Sequence, residues 1–301
     1  MVMGPTGAGK TTFINLASGS QLRVGSGLES ETAYIQLSKP FILDKYQIVL
    51  IDTPGFDDTT KSEADVLRGI AEYLATMHTR KQYLHGIIYL HRITDNRMGG
   101  TALRNFRMFR ELCGGDALAN CAVVLNMWNE VSDDIRRARE KELRETDVFF
   151  KPAIDAGTLM MHHEGGAPSA RAILSQIAQN NPRPFLIQRE IVDMGKPISE
   201  TSAGLVLLGD LAAKHLKQLA QLHEMEAELE EAVRQKDEKE QRELEEIQLK
   251  TKRERDRLEE EQRRIRDAPA VATEVPLRTV GPLQTIVTKV WRAWRALRER
   301  V

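Results

Sequence analysis

The sequence has few cysteines, few aromatic residues and no excess of charge of either sign. Its two cysteines among 301 residues, Cys113 and Cys121, lack Cys-x-x-Cys spacing, which argues against a disulfide framework or a zinc site and favours a reducing compartment. The 43 basic residues nearly balance the 44 acidic ones, which argues against a general nucleic-acid binder. No signal peptide and no apolar run of membrane-spanning length is recognisable, so we expect a cytoplasmic protein, with a peripheral membrane contact left open.

The strongest motif lies at the start of the chain. Residues 4–11 read Gly-Pro-Thr-Gly-Ala-Gly-Lys-Thr and fit the pattern G-x-x-x-x-G-K-[ST]. Its glycines let backbone N–H groups turn toward an anion, Lys10 neutralises the outer phosphates, and a helix starting near Thr11 adds its positive end. The motif predicts a nucleoside triphosphate site. Because only three residues precede it, we expect a truncated central strand that weakens the affinity for nucleotide.

A second motif follows about forty residues downstream. The apolar run 47–51 ends in Asp52-Thr53-Pro54-Gly55. A buried strand ending at Asp52 would bring its carboxylate beside the loop and a Mg²⁺ ion, whereas a solvated turn is the alternative. Gly55 fits the D-x-x-G pattern, in which a backbone N–H meets the γ-phosphate. Thr32 is a candidate ligand of the same Mg²⁺, with a strand-edge threonine as the alternative.

Strand-like and helix-like segments alternate up to about residue 200. This order predicts an α/β fold in which a mostly parallel sheet carries helices on both faces. Strands are expected near 33–37, 47–51, 86–91, 122–127 and 158–161. Helices are expected near 11–17, 63–77, 101–112, 133–145 and 169–179. With 41% apolar residues, the chain can bury one core of about two hundred residues.

The remaining third has a different character. Residues 201–267 carry helical periodicity and then dense Glu, Lys and Arg, which favours one long charged helix over a coiled coil and makes 205–267 a possible protein-binding segment. A proline-containing linker, 268–282, precedes 283–301. That last segment has a basic amphipathic pattern with Trp291 and Trp294, which suits an anionic membrane surface or a helix-binding groove. Docking on its own domain is equally open.

The two motifs and the stretch 86–108 resemble fungal GTPases akin to the septins, the immunity-associated nucleotide-binding proteins and the chloroplast import-receptor GTPases. The resemblance covers about residues 1–200. It implies a Ras-like fold, guanine nucleotide, Mg²⁺ and pairing of two GTPase domains across the nucleotide face. It also implies a set of site residues. The nucleotide would contact Gly4, Gly7, Ala8, Gly9, Lys10, Thr11, Thr12, Asp52, Gly55, Asn126 and Asn129. The metal would be held by Thr11, Thr32 and, through water, Asp52, and the catalytic set would be Lys10, Thr32 and Gly55.

The sequence departs from this family pattern at two places. Phe56 stands where Ras-type enzymes place the glutamine that orients water, so we expect slow or partner-assisted hydrolysis. Residues 126–129 read Asn-Met-Trp-Asn in place of N/T-K-x-D, and a carboxamide cannot accept both donors of guanine as a carboxylate does. We therefore expect a weakened guanine preference. An ATP-binding P-loop protein and a degenerate nucleotide-binding scaffold that acts through its charged helix remain alternatives.

Further side chains are predicted near the same sheet edge. Arg92, Asp95, Asn96 and Arg97 follow the strand 86–91, where parallel-sheet folds bind ligands. Arg97 could cross a dimer interface, although a salt bridge within the loop is the alternative. The segment 162–166 is placed near the base by resemblance alone.

Overall fold

The computed structural model of the chain describes residues 1–23, 35–56, 62–235 and 238–267. These residues form a six-stranded sheet and a separate hairpin. The sheet strands are β1 (Val2–Met3), β2 (Gln36–Leu37), β5 (Ile51–Asp52), β6 (Ile88–Arg92), β7 (Ala122–Asn126) and β8 (Leu159–His162). Their order is β2-β5-β1-β6-β7-β8, in which β2 is antiparallel to β5 and the other described pairs are parallel.

The central strands are apolar because helices cover both of their faces. Residues 122–125 of β7 are fully buried, as expected for a parallel strand between two helical layers. The first strand has two residues, and Val2 pairs with Asp52 on one side and Ile88 on the other. This register places the beginning of the loop at the carboxyl edge of the sheet.

Helices lie on both faces, which confirms the predicted fold class. On one face, α1 (Lys10–Ser18) and α6 (Gly166–Ala178) cover a core that includes Phe13 and Leu174. The opposite face packs around residues such as Leu67, Tyr89 and Phe109. Its main helices are α2 (Glu63–Thr79) and α3 (Gly100–Cys113). The remaining helices of the domain are α4 (Asp133–Glu145), α5 (Lys151–Asp155) and α7 (Leu186–Gln188).

One predicted strand is wrong in its bounds. The run 47–51 divides between β4 (Tyr46–Ile48), which pairs with β3 (Phe41–Leu43), and β5, which joins the main sheet. Asp44 adopts a left-handed φ of 53° in the tight turn between β3 and β4, a conformation that Asp tolerates better than most residues. The apolar run could not reveal this division because both halves carry the same residue types.

The charged C-terminal helix is present, but the favoured single long helix is corrected to two. They are α8 (Ser202–Gln235) and α9 (Glu238–Arg266), which lie side by side with His215 Nε2 3.0 Å from Glu259 Oε1. Leu258, Gln262 and Ile265 of α9 are buried at helical spacing. The few apolar residues of α9 are sufficient to pack this helix, because they contact an apolar face of α8 and the globular core.

The helix pair is attached to the rest of the molecule at its beginning. Glu190 is 2% exposed, and its carboxylate accepts hydrogen bonds from the backbone nitrogen and the hydroxyl of Ser202 at 3.0–3.1 Å. A carboxylate at a helix N-terminus satisfies free N–H groups and complements the helix dipole. Within the described ranges, no helix combines the length and the apolar character that crossing a membrane requires. The predicted segments 268–282 and 283–301 lie outside those ranges.

Candidate functional site

The loop between β1 and α1 has a backbone that depends on its glycines. Gly4 has φ 141°, and a Cβ there would overlap the carbonyl oxygen of Leu90. Gly9 caps α1 with φ 87°, and a Cβ there would stand 2.5 Å from Asn126 Nδ2. Side chains at these positions would be strained or would collide with neighbouring strands. The loop is therefore pressed against the ends of two adjacent strands.

Lys10 extends back across this loop. Its Nζ donates hydrogen bonds to the carbonyl oxygens of Gly4 (3.0 Å) and Pro5 (2.9 Å), and the residue is 6% exposed. Both of these acceptors are neutral backbone carbonyls. The structure thus places a positive charge at the loop, where an anion could approach it.

Thr11 and Asp52 form the central contact of the site. Thr11 Oγ1 donates to Asp52 Oδ2 at 2.6 Å, across 41 residues of sequence. Asp52 is fully buried rather than a solvated turn residue, and its Oδ1 has no hydrogen-bond partner among the described residues. Burial raises the pKa of Asp52, against the opposing effects of the Thr11 hydrogen bond and the Lys10 charge.

The oxygen atoms of Thr11 and Asp52 are of the kind that bind a metal ion. Hydroxyl and carboxylate oxygens are the ligands that Mg²⁺ prefers, and an unpartnered buried carboxylate oxygen calls for a physical explanation. Thr11 and Asp52 therefore fit the predicted metal. Thr32, the third predicted ligand, lies outside the described residues.

Gly55 is held in close contact with the loop. A Cβ at Gly55 would overlap Thr6 Oγ1 and lie 2.6 Å from the Thr6 backbone nitrogen. The next residue, Phe56, is 1% exposed and belongs to the apolar core. Its ring therefore lies among core side chains and has no polar atom with which to position water.

The two asparagines predicted at the base side, Asn126 and Asn129, make different contacts. Asn126 Nδ2 donates to the carbonyl oxygen of Ala8 at 2.7 Å, so this side chain holds the phosphate loop. Asn129 lies further along, where its Nδ2 donates to Glu164 O at 2.8 Å and its Oδ1 accepts from Arg136 Nη1 at 3.0 Å. Sequence reasoning missed Arg136 and the Glu164 carbonyl as partners, because no local pattern pairs residues this far apart.

Trp128 does not present a free face for stacking. It is 7% exposed, its ring stacks on His162 at 3.7 Å between centroids, and the Arg136 guanidinium lies 5.2 Å from the ring centre. The structure therefore supports a packing role for Trp128 rather than stacking on a nucleotide base. The neighbouring His163 faces elsewhere, with Nδ1 3.1 Å from Ser169 Oγ, and burial lowers its pKa.

Arg92 and Arg97 lie in the same region with different surroundings. Arg92 Nε is 3.0 Å from Asp95 Oδ1, and a Cβ on Gly7 would stand 3.1 Å from Arg92 Nη1. Arg97 is exposed and lines a cavity of about 210 Å³ that also contains the buried His91. The structure therefore brings Arg92, and not Arg97, to the loop.

A P-loop, a buried aspartate at the neighbouring strand end and a mostly parallel sheet together define a P-loop nucleotide-binding domain of α/β class. The family model described as "50S ribosome-binding GTPase" matches residues 1–104, about a third of the chain. Residues 1–104 are therefore similar in sequence to a GTPase domain.

Individual relatives share only low sequence identity with this chain. The chain is 25% identical over 190 residues to "GTP-binding protein A" of Dictyostelium discoideum, which covers 61% of this chain and 38% of that protein. The chain thus spans well under half of that relative. Among solved structures, a dimerization-deficient mutant of Toc33 from Arabidopsis thaliana has 16% identity and a TM-score of 0.47, covering 61% of this chain and 85% of Toc33. Toc33 with Mg²⁺ and GMPPNP has 14% identity and a TM-score of 0.44, covering 58% and 80%.

Proposed function

We propose that this protein is a Mg²⁺-dependent switch that binds guanine nucleotide at residues 4–11. The observation that carries the proposal is the Thr11–Asp52 contact of 2.6 Å, which leaves a buried carboxylate oxygen unpartnered beside the loop. The match of residues 1–104 to a GTPase family model supports guanine nucleotide as the ligand.

Each side chain then has a defined task. Lys10 would exchange the carbonyls of Gly4 and Pro5 for phosphate oxygens, and the backbone N–H groups of residues 7–12 would bind the remaining phosphate oxygens. Thr11 and Asp52 would hold the metal, with Thr32 as a predicted third group. Mg²⁺, when bound, neutralises charge on the β- and γ-phosphates. Gly55, which contacts Thr6 of the loop, would sense the γ-phosphate.

Hydrolysis is proposed to be slow without a partner. Phe56 is buried in the core, and a side chain that orients the attacking water must carry a polar atom that reaches it. For this chain, pairing through the G domain rests on the resemblance of its motifs, and the exposed Arg97 is the residue proposed to reach across.

A titration of labelled GTP, XTP and ATP, with Mg²⁺ and with EDTA, tests the proposal. We expect Mg²⁺-dependent binding that Lys10→Ala abolishes, whereas Lys141→Ala, which removes an exposed lysine of α4, leaves binding unchanged. Turnover should rise with protein concentration if a second copy completes the site. A preference for ATP would support the ATP-binding alternative. Binding without turnover at any concentration would support the scaffold, and absence of binding would overturn the proposal.

A further inference from the structure

Two adjacent strands each direct one side chain at the phosphate loop. Arg92 and Asn126 are the last residues of β6 and β7 and are direct partners in the parallel register. Paired residues of neighbouring strands project from the same face of a sheet. Asn126 Nδ2 donates to Ala8 O at 2.7 Å, and Arg92 Nη1 lies 3.1 Å from the position that a Cβ of Gly7 would take. The two side chains therefore contact consecutive residues of the loop.

The Arg92 guanidinium is oriented by a carboxylate from its own loop. Its Nε lies 3.0 Å from Asp95 Oδ1, three residues further along, and the side chain is 34% exposed. A guanidinium held through Nε presents its Nη atoms in a fixed direction, which here is toward Gly7. Lys10, by contrast, is held at Gly4 and Pro5. The loop thus has two cations, which contact different residues of it.

The base-side motif lacks its expected lysine. The N/T-K-x-D pattern places a lysine directly after the asparagine, and Met127 occupies that position here. Met127 has φ 59°, and its Sδ lies 3.6 Å from the hydroxyl of Thr94, two residues beyond Arg92. Position 127 therefore contacts the loop that begins at Arg92.

We propose that Arg92 is a positioning residue that supplies, from β6, the cation that the base-side motif has lost at position 127. It steadies the loop at Gly7 and adds positive charge beside the bound phosphates. This role rests on the proposed nucleotide binding. It explains how a chain without the motif lysine retains a loop held from both neighbouring strand ends.

The test measures the affinity for GTP and GDP, with Mg²⁺, in four variants of the full chain. Arg92→Gln should weaken both nucleotides about tenfold or more, the effect of losing a charge-assisted contact. Arg92→Lys, which keeps the charge but loses the oriented guanidinium, should lose less affinity than Arg92→Gln. Met127→Lys added to Arg92→Gln should restore most of the lost affinity. Arg137→Gln removes an arginine that is 76% exposed on α4 and should change nothing.

Thermal unfolding without nucleotide separates binding from folding, since all four variants should unfold within about 2 °C of the parent. Equal affinity of Arg92→Gln and the parent, with Lys10→Ala defective, would overturn the inference and leave the proposed function intact. Weakened binding that neither lysine restores would reduce Arg92 to a packing role and would also overturn it. A parent protein that binds no nucleotide would overturn both proposals.

Discussion

Glu261 Oε1 accepts a hydrogen bond from the backbone nitrogen of Glu63 at 3.1 Å, so the last described helix caps the first turn of α2. Arg264 Nη1 of the same helix lies 3.6 Å from Asp65 Oδ2. Carboxylates are favoured at a helix N-terminus because they complement its positive dipole end. Residues 57–61, which lie outside the described ranges, separate Phe56 from Ser62, the residue before Glu63. The α8–α9 pair is thus connected to the helix that follows Gly55.

Arg104 of α3 links the first turn of α2 to α8. It is 3% exposed and forms ion pairs with Glu63 of α2 and, at 3.7 Å, with Asp210 of α8. Burial raises the pKa of Glu63, and the charge of Arg104 opposes that shift. Removing the arginine would leave a buried carboxylate without its cation.

Arg104→Met should therefore lower the free energy of unfolding by about 3 kcal/mol, as expected when one partner of a buried ion pair is lost. Urea denaturation measures the change. Arg107→Met, which removes an exposed arginine from the same helix, should stay within about 0.5 kcal/mol of the parent. Adding Glu63→Gln to Arg104→Met should recover part of the loss. Equal effects of the two single substitutions would contradict this interpretation.

Asp52→Asn should stabilise the nucleotide-free protein at neutral pH. Burial raises the pKa of Asp52, so its ionised form opposes folding, and the stability that its protonated form contributes is lost as the pH rises through the folded-state pKa. We expect an increase in Tm of about 2–4 °C at pH 7 that disappears in acid. Mg²⁺-dependent nucleotide affinity should fall in the same variant. Asp134→Asn on the surface of α4 is the control, and a lowered Tm for Asp52→Asn would disprove the argument.

His91 should make the protein sensitive to mild acid. Burial lowers the pKa of His91 to about 4, from an ordinary value of 6.5, while Asp95 opposes and Arg92 reinforces the shift. The unfolded chain then takes up a proton that the folded chain excludes, so stability is full above pH 6.5 and is lost as the pH falls toward 4. Between pH 7 and pH 5 this loss amounts to about 2 kcal/mol.

His91→Phe should remove that part of the pH dependence because a phenyl ring does not titrate. The new ring can still pack against Phe150, whose centroid lies 5.3 Å from that of His91. Urea denaturation of parent and variant at both pH values gives the difference. His223→Gln, at an exposed position of α8, should leave the pH dependence unchanged. A parent and a His91→Phe variant that lose stability in parallel would rule out this assignment.

Asn129→Asp should raise the affinity for GTP relative to XTP severalfold. A carboxylate accepts both guanine donors, and recognition of this kind contributes about 1–3 kcal/mol of discrimination. Arg136 would remain a partner of the new carboxylate, whereas the hydrogen bond to Glu164 O would be lost. Competition titrations of the two nucleotides measure the ratio, and an unchanged ratio would remove Asn129 from the base site.

Periodicity and turn residues were sufficient to predict most of the α/β fold. The helices near 63–77 and 133–145 are confirmed by α2 and α4, because apolar spacing and N-terminal Ser and Asp residues act within a few positions. The same reasoning missed the β3–β4 hairpin and the return of α9 along α8. In each place a continuous pattern is divided by contacts with another segment, β3 for the hairpin and α8 for α9, which the pattern itself does not reveal.

The sequence by itself determined the chemistry of the loop, since Gly4, Gly9, Lys10 and Thr11 act through local backbone geometry and charge. Only the tertiary structure decided how groups from other strands meet that loop: Asp52 through an unpartnered buried oxygen, Asn126 through its amide at Ala8, and Arg92 through its guanidinium at Gly7. The physical reason is one of range. Conformational preferences extend over a few residues, whereas these contacts join positions 41 to 118 apart and arise only from the parallel register of the sheet.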